Sequence, residues 1–333
     1  MKFGAVPLTE AEGAILAHSV ALPKGRLRKG VMLDAAALGK LTAAGVQHVT
    51  VARLDADDVH EDRAAERLAQ SLVPDPAAVH LRLAPASTGR VNIYATQTGV
   101  AQIDAAKINA VNAVHPMVTV ATVPEWHRMA ARGMVATVKI ISYAAPEAAV
   151  AAACVAGQDA LSLRPVTRSR VLLIQTSVGG RDDSAKGQRA MGLRFDRMGV
   201  SLGPKTVVAH DIDALRHALT DAAPEYDMLC ILTGSATSDL YDVAPEAVRA
   251  AGGEVVHYGM PVDPGNLLFW GNMGNVPVIG LPGCAKSPAL NGADWVLERL
   301  LCNVPVRPQD IMGMGVGGLL KEPPSRPLPR ETA

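Results

Sequence analysis

The sequence predicts a layered α/β domain with a mostly parallel sheet over residues 161–320. A small N-terminal α+β unit, 1–74, and a β-rich middle domain, 75–160, precede it. Three observations carry this expectation. From Arg170 onward, short apolar runs alternate with stretches of helical periodicity, the pattern of βα units around a parallel sheet. Between 77 and 145, brief Val- and Ile-rich runs are separated by turn residues, the pattern of a β-rich fold. With 333 residues, 49% of them hydrophobic, the chain is long enough for two or three cores.

The N-terminal unit opens on an Ala-rich apolar segment and LPKGRLRKGVML, where Gly25 and Gly30 mark turns. DAAALGKLTAAG reads as a helix with Asp34 as N-cap and Gly45 closing it. VQHVTVARL alternates as a strand, and DDVHEDRAAERLAQSL is an amphipathic helix that ends at Pro74 and Pro76. The middle domain has strand-like VHLRLAP, GRVNIYAT, GVAQIDAA, PMVTVATV and GMVATVKIISY, with AAKINAVNAV as a helix. PEAAVAAACVAG is a helix leading out of it.

In the α/β domain RVLLIQTSV is a strand and SAKGQRAMGLRFDRMG a helix ended by Gly199. PKTVVAHD, YDMLCILTG, EVVHYG, LLFWGN and VPVIGLPG are further strands. IDALRHALTDAA is a helix capped by Asp211, and DVAPEAVRAAGG is another. The last helix runs through about Leu301. The tail, 321–333, is Pro-rich and charged and is expected to be disordered.

Lys+Arg and Asp+Glu are both 32, and this balance argues against a general nucleic-acid binder. Aromatic residues at 3% are too few for base-stacking platforms. Cys154, Cys230, Cys284 and Cys302 form no CxxC pair, and the histidines show no HxxxH or HExxH spacing, so a zinc site is not expected. No run reaches the ~18 apolar residues of a membrane span, and the first residues lack a signal-peptide core, so the expected location is cytoplasmic.

Two loops at strand ends carry the chemistry, because ligands of open α/β sheets bind beyond the carboxyl ends of the strands. In LTGSATSDLYD, Thr233, Gly234, Ser235, Thr237 and Ser238 supply hydroxyls and backbone N–H groups suited to a phosphate. A polar surface loop is the alternative. Asp242 directly precedes a helix and reads as an N-cap, and Asp239 as a solvated loop residue. In GLPGCAKSP, Gly280 and Gly283 let backbone approach a ligand, Pro282 stiffens the loop and Lys286 adds charge. Ser287 precedes the last helix, whose N-terminal N–H groups favour an anion. A plain strand-to-helix connection is the alternative here. Asp182, Asp183 and Ser184 read as helix caps or contacts to a second phosphate. Lys24, Arg26, Arg28 and Lys29 form a solvated basic loop or an arm toward a phosphate.

Three pieces, in order, resemble the molybdenum cofactor biosynthesis domain shared by molybdopterin adenylyltransferases and molybdotransferases. LTGSATSDLYDVAPEAVRAAGGEVVHYG looks like that family's Gly-Gly-x-Ser/Thr loop running into an Asp and a helix. MPVDPGN, with Pro261, sits where molybdotransferases have Met-x-Pro-Gly-Lys-Pro. VIGLPGCAKSP looks like their Gly-Leu-Pro-Gly-Asn-Pro loop. Ser235, Asp263 and Cys284 stand where the family has a second glycine, a basic residue and Asn. LRKGVMLDAAALGKLTAAGVQHVTVARL is similar to the segment before the α/β domain of molybdotransferases, here placed at the N-terminus.

The resemblance implies a molybdopterin-binding protein of cofactor biosynthesis or maturation. Its ligand would be molybdopterin, an adenylylated form with an AMP moiety from ATP, or the finished molybdenum cofactor. Asp242, with Asp239, would hold Mg²⁺ beside phosphates, and a molybdo- or adenylyltransferase-like reaction is implied. It also implies a homodimer and a partner enzyme of cofactor maturation. A non-catalytic pterin carrier or regulator for a partner molybdoenzyme system and an unrelated α/β nucleotide-binding enzyme remain as alternatives. Neither G-x-G-x-x-G nor G-x-x-x-x-G-K-[ST] occurs.

Overall fold

In the computed structural model residues 1–180 and 184–320 are described. Asp182, Asp183 and the tail from 321 lie outside them. The chain divides into two compact units, one of Met1–Gln97 with Ala101–Leu163, the other of Thr98–Val100 with the residues from Arg164 onward.

The first unit begins with an antiparallel sheet of Lys2–Pro7, His48–Arg53 and Ile15–Leu16, with His48–Arg53 central. The helix Ala35–Ala43 starts where the Asp34 carboxylate accepts the Ala37 amide, and Gly45 follows at φ 74°. Its Leu41 packs with Leu16, Leu33, Val49 and Val51. Gly25, at φ 85°, turns the hairpin Val20–Ala21 to Arg26–Leu27. A four-stranded antiparallel sheet follows, ordered Val118–Thr122, Met134–Ile140, Arg90–Ala95, Leu81–Leu83. The helices Ala105–Val114 and Glu147–Ala156 belong to the same unit.

The expected break at residue 74 falls inside this unit. Helix Glu61–Leu72 buries Leu68 and Leu72 in one core with Ile93, Ile140 and Leu163. The strand before it, Asp58–His60, pairs with Ala144–Pro146. The two prolines at 74 and 76 turn the chain without ending a core.

The elements of the second unit are numbered from its own start. From Val171 to Leu301 the strands and α-helices are β1 (Val171–Ser177), α1 (Ser184–Asp196), β2 (Thr206–Ala209), α2 (Ile212–Ala222), β3 (Met228–Leu232), α3 (Val243–Ala250), β4 (Glu254–Tyr258), β5 (Phe269–Met273), β6 (Val276–Leu281) and α4 (Gly292–Leu301). The sheet has six strands, ordered β2-β1-β3-β6-β5-β4. β2, β1, β3 and β6 are parallel, while β5 runs antiparallel to both β6 and β4. The near-continuous apolar runs of β1 and β3 reflect burial on both faces. On one face Leu172, Ile174, Leu229, Ile231 and Phe269 pack with Leu215, Leu219 and Val248 of α2 and α3. Alternation directs Leu173, Cys230 and Ile279 to the other face, where α1 contacts β1 and α4 contacts β6.

Thr98–Val100 is a short piece of the second unit inserted in sequence within the first. Gly99 lies so close to the Arg164 carbonyl that no side chain fits there, and Val166 donates its amide to Thr98 O at 3.2 Å.

Candidate functional site

From β1 the chain steps to β2 on one side, and β3 returns on the other side of β1. Such a switch of direction opens a crevice at the carboxyl ends of the strands. Registers Gln175↔Leu232 and Leu232↔Leu281 bring the ends of β3 and β6 side by side, two residues short of the end of β1. The loop at 233–242 and the turn at 282–287 therefore leave the sheet from paired residues.

The first loop is held mostly by its own hydrogen bonds. The Gly234 amide donates to Thr176 Oγ1 at 2.9 Å, and a Cβ on Gly234 would stand 2.7 Å from Thr176 O. Gly234 is thus required by the chain's own packing on β1, where the sequence suggested clearance for a ligand. Thr233 and Thr237 are buried with their hydroxyls 3.4 Å apart, and the Tyr258 hydroxyl donates to Thr237 O at 3.1 Å. Ser235, Ser238 and Asp239 are exposed. Asp239 accepts the Tyr241 amide at 2.8 Å.

Asp242 is the N-cap of α3. Its Oδ1 accepts the Val243 amide at 2.7 Å and its Oδ2 the Ser238 amide at 2.9 Å. Burial pushes this carboxyl up, but those two amides hold it below the usual aspartate range. Burial raises the Tyr258 phenol, and the charges of Asp239 and Asp242 add to the rise.

Each Asp242 oxygen accepts one amide, and no cluster of three His, Cys, Asp or Glu exists among the described residues. Asp242 is a helix cap, and Asp239 stabilises a turn at Tyr241.

The second loop differs from expectation in three ways. β6 continues through Gly280 and Leu281, residues the sequence placed in the ligand loop. Gly280 pairs with Phe269, whose ring occupies the space a side chain would need. Gly280 is therefore a packing glycine. Gly283 has open space where a Cβ would point and no positive φ, and with Cys284 and Ala285 it forms a short 3-10 turn ending at Lys286. Pro282 is buried, Ser287 exposed and Lys286 half-buried. Among the described residues Lys286 makes no ion pair.

The third difference concerns α4, whose first amides are taken by the protein. Gly292 donates to Pro264 O at 2.8 Å, Ala293 to Asn291 Oδ1 at 3.0 Å and Asp294 to Asn291 O at 2.9 Å. Asp294 returns the bond by accepting the Asn291 amide at 3.0 Å, closing a capping box. The expected anion site at this helix is occupied by the chain itself.

Pro261 lies in neither strand-end loop. Its segment packs on the C-terminal turn around Gly315 and Gly318, and Asp263 donates its amide to Gly318 O at 2.9 Å.

Three residues that the sequence did not single out shape the site. Thr176, one residue before the end of β1, bonds both Gly234 and His210 Nδ1, the latter at 2.8 Å. His210, just before the α2 cap Asp211, lines a cleft of about 440 Å³ with Ser177, Val178, Val207, Val208 and Asp211. Arg194, buried on α1, donates to Ala285 O at 3.1 Å and Ala289 O at 2.9 Å, fixing the second loop from below. His210 was findable as a titratable residue at a strand end. Arg194 was not, because a charge in a helix reads as solvent-facing.

A family model described as a domain of unknown function, DUF8806, matches residues 5–53. No curated protein matches the chain. The chain is similar to a molybdopterin biosynthesis MoeA protein from Pyrococcus horikosii, at 14% identity and TM-score 0.32, covering 91% of this chain and 75% of that one. It is similar to a structure of MogA at 22% identity and TM-score 0.28, over 39% of this chain and 92% of that one. A third likeness, to molybdenum cofactor biosynthesis protein B, has 15% identity and TM-score 0.28, over 40% and 87% of the two chains. At these identities and scores no activity passes from those proteins to this chain.

Proposed function

We propose that the second unit binds a molybdopterin species in molybdenum cofactor biosynthesis or maturation, at the strand-end crevice. The observation that carries this reading is the pairing Leu232↔Leu281. It sets the Thr233–Ser238 loop beside the Pro282–Ser287 turn, so two of the three family-like motifs share one edge of the sheet. The ligand's phosphate is assigned to the exposed side of the first loop, at Ser235 and Ser238, with Lys286 as the nearby cation. A holding role is favoured over Mg²⁺-assisted transfer, because Asp242 is engaged as a cap on both oxygens. The reading includes a homodimer and delivery to a partner enzyme. Light scattering at tens of micromolar tests the dimer, which a monomer mass would overturn.

Mass spectrometry of material copurified from a molybdopterin-producing host tests the ligand, followed by titration with molybdopterin. Binding at micromolar affinity or better is expected. No molybdopterin binding, alongside tight binding of NAD or another dinucleotide, would overturn the reading.

A further inference from the structure

Gly234, Thr176 and His210 form a hydrogen-bonded chain at the crevice. The Gly234 amide can only donate, so Thr176 Oγ1 accepts from it at 2.9 Å. The threonine hydroxyl has one hydrogen to give, and His210 Nδ1 lies 2.8 Å away. Giving it there leaves Nδ1 as acceptor and puts the ring proton on Nε2. With the hydroxyl hydrogen given in that direction, the imidazole offers a donor at Nε2.

The surroundings of that donor choose its acceptor. Val178, Val207 and Val208 give the cleft of about 440 Å³ apolar surface. Asp211 lies in the same cleft, its carboxylate capping α2 through the Ala214 amide at 2.8 Å. That carboxylate disfavours an anion in the cleft. A cleft that combines valine side chains with polar surface, the His210 ring included, suits a flat, uncharged ring with a carbonyl edge.

Resting on the pterin reading of this site, we propose that His210 anchors the heterocycle of the ligand. Its Nε2–H donates to a ring carbonyl oxygen in the cleft between the ends of β1 and β2. Thr176 is the positioning residue that orients the ring. The ligand's phosphate is then directed away from this cleft, toward the loop at 233–242.

The test uses the full chain with two probes, unphosphorylated pterin and inorganic phosphate, followed by ¹⁵N-edited NMR of the histidine rings. Pterin should shift the His210 ring signals and phosphate should not. His210→Ala should weaken pterin binding about tenfold, the loss of one well-placed hydrogen bond. Thr176→Ser keeps the hydroxyl and should retain binding and the Nε2–H tautomer. Thr176→Val should change the tautomer populations in the free protein while the melting temperature reports any loss of fold. Phosphate shifting His210 in place of pterin, unchanged pterin affinity in His210→Ala, or no response to either probe would overturn the proposal. Molybdopterin binding that survives His210→Ala would sink this inference and leave the function standing. Pterin at His210 with no molybdopterin binding would do the reverse.

Discussion

Arg194 and Asp294 form a buried ion pair, Nε to Oδ1 at 2.5 Å, with only 5% and 6% of the two residues exposed. The arginine also grips two carbonyls of the loop at 282–290, while the aspartate closes the capping box of α4. One contact therefore couples α1, the loop and α4.

Removing one partner leaves the other charge buried alone. Arg194→Met or Asp294→Leu should each cost about 3–5 kcal/mol of stability, read from urea denaturation. The double variant should cost less than the sum of the single losses, because no unpaired charge remains. Additive losses would show that the two residues act independently.

Gly280 and Gly283 should respond oppositely to alanine. At Gly280 the added methyl meets the Phe269 ring, so Gly280→Ala should destabilise by about 1–3 kcal/mol. At Gly283 the space is open, so Gly283→Ala should stay within about 0.5 kcal/mol of wild type. A fall in molybdopterin affinity for Gly283→Ala, at unchanged melting temperature, would then report ligand contact at the turn.

Lys286→Ala should weaken molybdopterin binding by about 1 kcal/mol, as for a partly exposed charge. The difference from wild type should shrink as salt rises. Equal affinities at low salt would remove Lys286 from the site.

Two carboxyls should give opposite pH signatures. The Asp242 pKa is depressed in the folded chain. Its contribution to stability is present above the ordinary aspartate value of about 3.9 and is lost as pH falls through the folded value. In the first unit Glu61 is raised, by burial first, with the Lys139 ammonium working against the rise. Its contribution is full below the ordinary glutamate value of about 4.3 and is lost as pH rises through the folded value. Denaturation midpoints across pH should show Asp242→Asn reducing the acid loss. Glu61→Gln should remove the loss on the alkaline side. Parallel profiles for the two variants would contradict these assignments.

Most elements were legible because their signals are local. Alternation, helical periodicity, and caps such as Asp34 and Asp211 act within a few residues. The reversal of β5 was not legible, since strand direction depends on partners distant in sequence. The site was half legible. Its two loops could be read from Gly, Ser and Pro at strand ends, but what each glycine faces could not. Phe269 opposite Gly280 and Thr176 beneath Gly234 are long-range contacts. The cap on α4 was hidden for the same reason, because Pro264 O reaches Gly292 from another segment.

The brief excursion of the chain at Thr98–Val100 limits how the protein can be dissected. A single cut after Leu163 does not yield two whole halves, since the downstream fragment lacks those three residues. The Val166 amide then loses its acceptor, and the backbone that Gly99 lays against Arg164 is stripped of its neighbour. Separate production of the second unit calls for a grafted or circularly permuted gene that restores the tripeptide. Ligand measurements on the simple fragment would report a damaged scaffold in place of a weak site.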